Sequence, residues 1–314
     1  MSKEIVLDVD AGVDDALAIL LAVRSPELRI RAITTVSGNV HVDKTSINVL
    51  KVLEAIGVSE IPVAKGMAKP LLRHLEVAED FHGKDGLGDS DLPPPKLQLD
   101  KRHAVDLLLE ETSAQPGKIT VVATCPLTNI ATALLREPRF AENVRELVIM
   151  GGAYGLTGYG YGNANAVAEF NIYVDPEAAS IVFRSGIPLT CVGLDVTTDP
   201  KATLTMDLHR RIDRSKTDSA KIAARTTRQL ITRYGLFHLH DPMAVAEVVD
   251  PSLFTTKKHH VDIETVSNLT RGQTVVDRRD WLPQSQKRPP NSSVCTGIDG
   301  ERFLKMFMQR VSGD

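Results

Sequence analysis

The sequence predicts an α/β fold, in which an open, mostly parallel sheet is flanked by helices and the C-terminal portion is helical. Short β-rich runs alternate with helical patterns along the chain, which is typical of βαβ units. The 314 residues are 42% hydrophobic and 25% charged, so the chain can bury a large core. The pattern contains no internal repeat and no low-complexity linker. We therefore expect residues 1–314 to form a single domain.

The predicted strands and helices alternate along the first two thirds of the chain. Apolar and β-branched runs predict strands at residues 5–9, 31–36, 119–123, 147–150 and 189–192. Helical patterns predict helices at residues 14–23, 43–56, 102–112, 128–136 and 176–184. Later residues predict helices from Thr205 through Tyr234 and from Pro242 to Val249, a β-like stretch at 261–276 and a last helix near 302–311. Residues 81–95 and 151–167 fit neither pattern, and long irregular segments often serve as lids or binding loops.

Four carboxylates, those of Asp8, Asp10, Asp14 and Asp15, directly follow the first predicted strand. A strand that turns through Gly12 into a helix brings such residues to the carboxyl edge of the sheet, where open α/β folds bind ligands. Converging carboxylates repel one another, and a hard divalent cation such as Ca²⁺ or Mg²⁺ would relieve that repulsion. The alternative is helix capping, which explains Asp14 or Asp15 but neither of the two earlier acids. The motif therefore favours an ion site.

Charge and cysteine content restrict the classes of partner. The formal net charge of −3 provides no basic face for nucleic acid and no polybasic signal for a membrane surface. The N-terminus runs straight into the first strand, and the sequence has neither a signal-peptide core nor an apolar run that could span a bilayer. Three widely spaced cysteines fit a reducing compartment. We expect a cytoplasmic protein that binds small molecules, without nucleic-acid or membrane partners.

Further polar residues follow the later strands. Asn39 lies at the end of the second strand, where it can serve either a turn or a ligand. Pro126 lacks a backbone donor, so the Thr124 carbonyl is freed from regular strand pairing. An extended backbone would place Glu169 and Asn171 on one face, either as a solvated polar edge or as part of a site.

His240-Asp241-Pro242 begins a predicted helix with proline at its first position. Asp241 is therefore either a plain N-cap or a further acid at the site. His240 is either a partly buried structural histidine or a proton donor. Tyr234, together with Phe237 and His238 just before this point, could bind an aromatic ligand or pack in the core.

The whole chain resembles the inosine-uridine-preferring nucleoside hydrolase family. The resemblance begins with the Asp-x-Asp-x-Gly-x-Asp-Asp opening at residues 8–15. It continues, in the family's order, at residues 37–39, 82–88, 126–129, 150–152, 168–171, 240–242 and 270–277. Ala11 replaces a common proline and Cys125 a common glycine, and neither change removes a side-chain ligand.

This resemblance implies a nucleoside hydrolase-like fold and a Ca²⁺-dependent hydrolysis of the N-ribosidic bond of ribonucleosides to ribose and a free base. It implies that ribose hydroxyls and a water complete a calcium shell whose protein ligands are Asp10, Asp15, Asp241 and the Thr124 carbonyl. Asp10 would also be the general base on the metal-bound water, and a homodimer or homotetramer is expected. The residues implied to contact the ribose are Asp14, Asn39, Met150, Asn163, Glu169 and Asn171.

Hydrolysis of an N-ribosidic bond requires groups of the same kind as the site residues named above. Breaking an N-glycosidic bond places positive charge on the sugar, which carboxylates stabilise. A nucleobase leaves poorly without a proton or hydrogen bond, and His240 is the candidate donor. Tyr234 and His82 are candidates for the base side of the pocket, with core packing as the alternative for the aromatic ring.

Two other classes of protein remain open from the residues. A haloacid dehalogenase-type phosphatase also begins with Asp-x-Asp after a strand and binds Mg²⁺. Its usual Gly-Thr turn is absent here, because Ala11, Gly12 and Val13 occupy that place. A non-enzymatic ribose- or nucleoside-binding protein could keep the ion as a structural element. The combination of Asp10, Asp14 and His240 argues against it.

Overall fold

The computed structural model describes residues 2–313. Its strands are β1 Lys3–Val9, β2 Leu28–Thr35, β3 Val63–Lys65, β4 Ile119–Ala123, β5 Val144–Met150, β6 Leu189–Val192, β7 Thr203–Thr205, β8 Leu236–His238, β9 Phe254–His259, β10 Val261–Ile263, β11 Thr274–Val276 and β12 Ser292–Ile298. Its helices are α1 Val13–Val23, α2 Val42–Ala55, α3 Glu79–His82, α4 Ala104–Ala114, α5 Thr128–Arg136, α6 Phe140–Asn143, α7 Phe170–Val174, α8 Pro176–Phe183, α9 Leu194–Thr197, α10 Met206–Arg214, α11 Asp218–Tyr234, α12 His240–Val249 and α13 Gly300–Val311.

A large central sheet organises the molecule. Within residues 2–313 it has eight strands in the order β3-β2-β1-β4-β5-β6-β12-β9. All neighbouring pairs are parallel except β12 and β9, which are antiparallel. The predicted mostly parallel α/β sheet is therefore confirmed. The five predicted strands all belong to it, while β3, β9 and β12 were not predicted.

Helices cover both faces of the sheet, and each face has its own apolar core. One core contains buried side chains of α1, α2, α11, α12 and α13. The other contains side chains of α4, α5 and α8, with Tyr154 and Phe140 among its largest buried residues. Burial on both faces explains why the inner strands read as apolar runs rather than as alternating patterns.

The predicted β-like stretch at residues 261–276 is an antiparallel pair, β10 and β11, outside the central sheet. The predicted helical region after Thr205 is divided into α10 and α11, and the last helix begins at Gly300. Residues 151–167 have no helix or strand, as expected, whereas the irregular segment at 81–95 begins inside α3. Among residues 2–313 no helix combines the length and the apolar character needed to cross a membrane.

Candidate active site

A cavity of about 580 Å³ lies where β4 and β5 end and where α1 and α12 begin. This is the carboxyl edge of the parallel strands, where such sheets bind ligands. The predicted site residues that line it are Asp14, Asn39, His82, Thr124, Met150, Asn163, Glu169, Asn171, His240 and Asp241. Asp10 and Asp15 lie one layer deeper, and both are fully buried. Tyr234 lines a separate groove of about 240 Å³ instead.

Three buried carboxylates form the centre of the site. One carboxylate oxygen from each of Asp14, Asp15 and Asp241 lies within 4.8 Å of the other two. Asp15 also accepts hydrogen bonds from the Gly12 backbone N–H (2.8 Å) and from the Thr124 hydroxyl (2.8 Å). The group thus joins the turn before α1, the end of β4 and the first turn of α12. Asp14 belongs to this group, although the resemblance placed it on the ribose rather than the ion.

Asp10 lies beside this group and is held by Asn39. The Asn39 backbone N–H donates to Oδ2 of Asp10 at 2.7 Å, and its side-chain amide donates to Oδ1 at 3.1 Å. The same amide nitrogen lies 3.1 Å from Oδ2 of Asp15. Asn39 therefore bridges two of the acids, while the resemblance implied a contact with ribose.

Burial raises the pKa of each acid in the cluster, and repulsion between carboxylates adds to this rise for Asp10, Asp14 and Asp241. Burial, followed by the charge of Asp15, raises the pKa of Asp14 to about 8. Burial first, and then neighbouring carboxylates, hold the pKa values of Asp10 and Asp241 well above their ordinary range. Oδ1 of Asp14 is buried without a hydrogen-bond partner. Several oxygen ligands and an orphaned carboxylate oxygen fit a hard divalent cation.

Asp8 has a different role from the other acids of the motif. Its Oδ1 accepts hydrogen bonds from the Thr34 hydroxyl at 2.7 Å and from the Asn129 amide at 2.8 Å. These contacts join β1 to β2 and α5. The structure thus supplies a packing reason for Asp8, which helix capping did not explain.

Glu169 and Asn171 are held by backbone groups at the start of α7. Glu169 is the N-cap of this helix and accepts from the N–H groups of Asn171 (2.8 Å) and Ile172 (3.1 Å). The predicted extended backbone across these residues is wrong, because the chain turns into a helix at Phe170. The Asn171 amide donates to the Met150 carbonyl at 3.0 Å and the Thr124 carbonyl at 3.3 Å. The Thr124 carbonyl therefore faces this part of the cavity.

Two histidines, the buried His82 and the half-buried His240, lie on other walls of the cavity. The Val13 backbone N–H donates to Nδ1 of His82 at 3.2 Å, and burial lowers the pKa of His82 to about 3. Nδ1 of His240 shares a hydrogen bond of 2.8 Å with the Thr197 hydroxyl. Burial first, and then His238 and His82, lower the pKa of His240 to about 3. Both rings are therefore neutral at pH 7.

The groove beside the cavity is aromatic. The ring of Phe81 stacks on those of Tyr234 and Phe237 at centroid distances of 6.0 and 6.5 Å. Phe81 and His240 line both the cavity and the groove. Within the predicted 81–95 lid, the residues that line the cavity are Phe81 and His82. Leu87 and Leu92 of the same segment are instead buried in the core.

Sequence reasoning missed several residues of the cavity wall, among them Tyr161, Leu194 and Thr198. Thr197, which holds His240, was missed as well. Tyr161 lies in the irregular segment that was expected to be a binding loop, so its loop was identified although the residue was not. The residues of α9 gave no signal, because a polar residue within a short apolar run has no distinctive spacing.

Comparisons with known proteins agree with this geometry. The family model described as "Inosine-uridine preferring nucleoside hydrolase" matches residues 5–305. The chain is 40% identical over 323 residues to a pyrimidine-specific ribonucleoside hydrolase RihA of Shewanella sp. (strain ANA-3), covering 99% of this chain and 97% of the relative. It is 42% identical over 319 residues to an inosine-uridine preferring nucleoside hydrolase of Crithidia fasciculata, covering 99% and 98%. A solved plant nucleoside hydrolase, the PpNRh1 enzyme, superposes with a TM-score of 0.92 at 32% identity, covering 100% of both chains.

Proposed function

The chain belongs to the inosine-uridine preferring nucleoside hydrolase family and is thus a hydrolase of N-ribosidic bonds, and we propose that it cleaves ribonucleosides with the help of Ca²⁺. The observation that carries this proposal is a cavity lined by buried carboxylates with an aromatic groove beside it. The carboxylates are complementary to a ribose, and the aromatic groove is complementary to a base. Membership of this family is not compatible with the two alternatives from the sequence, a haloacid dehalogenase-type phosphatase and a non-enzymatic binding protein.

We propose that Asp10, Asp15, Asp241 and the Thr124 carbonyl hold the ion, and that Asp14 contributes to its charge balance. The buried Oδ1 of Asp14, which has no hydrogen-bond partner, supports a cation at this place. Bound Ca²⁺ would orient a water and offer coordination positions to the sugar hydroxyls. When the repulsion among the carboxylates is relieved, Asp10 can ionise and serve as a base.

In the proposed reaction the bond between the ribose C1′ and the base nitrogen breaks, and both bonding electrons leave with the base. The sugar passes through an oxocarbenium-like state, which the nearby carboxylates stabilise. Asp10 takes a proton from the attacking water, and the water oxygen bonds to C1′. The departing base nitrogen takes up a proton, so the products are ribose and the free base.

We propose that His240 assists the departing base. Its Nδ1 is engaged with Thr197, so Nε2 is the atom that remains to face the base. A neutral imidazole with its proton on Nε2 donates a hydrogen bond to the departing nitrogen. Phe81 and Tyr234 at the adjoining groove would contact the base by stacking. On the sugar side, we propose that the ribose contacts are formed by Asp14, Asn39, Met150, Asn163, Glu169 and Asn171. On the base side, we propose that His82 contributes to the cavity wall.

The test is a panel of purine and pyrimidine ribonucleosides, since the two curated relatives differ in the preference that their names state. We expect release of free ribose, and rates at least about 10²-fold lower for 2′-deoxy substrates, because a site built around a hydroxyl rejects its absence. Elemental analysis of the purified protein should find calcium, and Asp15→Asn should lose it. Comparable rates on uridine and 2′-deoxyuridine would contradict this proposal.

We further propose a single domain, a cytoplasmic location and a homodimer or homotetramer. The central sheet includes both β1 near one end of the chain and β12 near the other, which supports a single domain. The three cysteines are free and buried, which fits a reducing compartment. Light scattering of the purified protein would determine the oligomeric state.

A further inference from the structure

The segment between β5 and α7 forms part of the cavity wall without regular structure. Residues 151–168 contain neither helix nor strand, yet Tyr161 and Asn163 on this segment line the cavity. A long irregular loop has few backbone partners of its own, so its path must be fixed by other parts of the molecule. We call residues 151–168 the wall loop.

Asp195, on α9, holds the first half of the wall loop. Its side chain is buried, with 1% of the residue exposed. Oδ2 accepts from the Tyr154 backbone N–H at 2.7 Å, and Oδ1 accepts from the Leu156 N–H at 2.5 Å. The Thr157 hydroxyl donates to the Asp195 carbonyl at 2.9 Å. Hydrogen bonds to a carboxylate are stronger than those between neutral groups, so these contacts fix the loop firmly.

Gly160 brings the second half of the wall loop against the same carboxylate. Its φ is +87°, and a Cβ at this position would lie 2.6 Å from Cγ and from Oδ2 of Asp195. Only glycine meets both conditions without displacement. Tyr161 directly follows Gly160, and Asn163 lies three residues after Gly160. The position of the Asp195 carboxylate therefore fixes the point from which the chain continues to these two residues.

Asn163 is also anchored from the other side. Its Oδ1 accepts from the Phe170 backbone N–H at 2.9 Å, and its own N–H donates to the Ala168 carbonyl at 3.1 Å. With Oδ1 engaged, the amide nitrogen is the group that can donate to a ligand in the cavity. A shift of the loop at Gly160 would move this donor relative to the substrate.

We propose that Asp195 is a positioning residue, which fixes the wall loop so that Asn163 meets the sugar of the bound substrate. The inference rests on the proposed function, because it needs a ribose in the cavity. Asparagine at position 195 could accept at one oxygen only, and its NH₂ group would face a backbone N–H. The loop would then lose one of its two attachments to the side chain.

The first experiment compares Asp195→Asn with Asp199→Asn. Asp199 is a matched control four residues away, since its carboxylate also accepts from a backbone N–H, that of Lys201. We expect Asp195→Asn to lower kcat/KM on the preferred ribonucleoside by about 10- to 100-fold, the scale of a misplaced contact group. The affinity for an iminoribitol inhibitor should fall by a similar factor, and Asp199→Asn should change neither. Wild-type values for Asp195→Asn would overturn the inference.

A double-mutant cycle separates positioning from a general loss of structure. If Asp195 acts through Asn163, then Asp195→Asn should cost less than about threefold in an Asn163→Ala background. A full additional loss in that background would overturn the inference. If the wild type releases no ribose from any ribonucleoside, the proposed function fails instead. The affinity for ribose then becomes the measurement, and an unchanged Kd in Asp195→Asn overturns the positioning role.

A pair of glycine variants tests the same contact from the loop side, and it keeps the inference testable if Asp195→Asn does not fold. Gly160→Ala pushes the loop away from the Asp195 carboxylate, whereas a Cβ at Gly158 meets no atom within 4 Å. We expect Gly160→Ala to lower kcat/KM by the same order as Asp195→Asn and Gly158→Ala to have little effect. Equal activity of the two glycine variants would overturn the inference.

Discussion

Gly38 shows how closely the residues around Asp10 are packed. A Cβ at this position would overlap Oδ2 of Asp10 and would lie 2.8 Å from Cδ of Pro126. Asp10 has little freedom to retreat, because Asn39 holds both of its carboxylate oxygens. Glycine at residue 38 is therefore needed for the position of Asp10, the proposed base.

We accordingly expect Gly38→Ala to lower kcat/KM by about 100-fold, the order of effect of displacing a reacting group. Gly297→Ala is the matched control, since the nearest atoms to a Cβ there lie at 3.6 Å. Steady-state kinetics on the preferred ribonucleoside would measure both variants. An active Gly38→Ala enzyme would mean that Asp10 can move without loss of function.

Glu247, which lies outside the candidate active site, makes the stability of the fold depend on pH. Burial, followed by the charge of Glu146, raises its pKa to about 7 from an ordinary 4.5. An acid with a raised pKa destabilises the fold as it ionises, so stability is lost as pH rises from about 4.5 to about 7. We expect Glu247→Gln to stabilise the protein at pH 8 by about 2–3 kcal/mol and to have no effect at pH 4. Urea unfolding at both pH values would measure this, with the exposed Glu142→Gln as the control.

At the scale of the element, α9 is a short helix with contacts to two walls of the cavity. Thr197 holds the imidazole of His240, and Leu194 lines the cavity. The orientation of His240 should therefore depend on the hydroxyl of Thr197, a residue that does not itself line the cavity.

The prediction for this helix concerns Thr197→Val, which keeps the shape and removes the hydroxyl. We expect kcat on natural ribonucleosides to fall by about tenfold, because a misdirected donor assists the leaving base less well. Thr197→Ser should restore most of the activity. On 4-nitrophenyl riboside, whose leaving group departs without a proton, Thr197→Val should lose little. An equal loss on both substrates would place the effect of Thr197 on the sugar or on the fold.

The sequence predicted some elements to the residue and others not at all. Strands β4 and β6 and helix α5 have the predicted bounds, since each is an apolar run or an amphipathic helix between clear breaks. Strand β9 was missed because Lys257 and Lys258 give it an exposed, polar pattern at the edge of the sheet. Strand β3 has only three residues, too few for a period to appear.

The same contrast applies to the candidate site. Asp10 and Thr124 follow strands, so the topology of a parallel sheet places them together. Asp195 and Thr197 act on residues that lie about forty positions away, and nothing in their local sequence indicates those partners. Contacts of this kind follow from tertiary packing, which periodicity cannot reveal.

At the scale of the whole molecule, the acid cluster makes stability depend on pH and would make it depend on the proposed calcium as well. A bound cation would require ionised carboxylates, whereas the metal-free protein keeps protons on groups such as Asp14, whose pKa is raised to about 8. Without the ion, stability is lost as pH rises from about 4 toward 8, so calcium should contribute more at the higher pH.

We therefore expect one fixed calcium concentration, about 100 times the Kd at pH 8, to stabilise the protein by about 2.7 kcal/mol at pH 8 and by clearly less at pH 5.5, where the Kd is higher. Calorimetry with calcium or with a chelator at both pH values would measure the change in Tm. Asp241→Asn should abolish most of the shift. A calcium effect that is equal at the two pH values would argue against ionised carboxylates as its ligands.

The position of β12 in the sheet sets an order of assembly during synthesis on the ribosome. Strand β9 leaves the ribosome before β12, yet β12 lies between β6 and β9. The edge of β6 must therefore stay open, and β9 must wait unpaired, until β12 has emerged. A nascent chain can thus complete its first strands early, while this side of the sheet closes only after Ser292–Ile298 has been made.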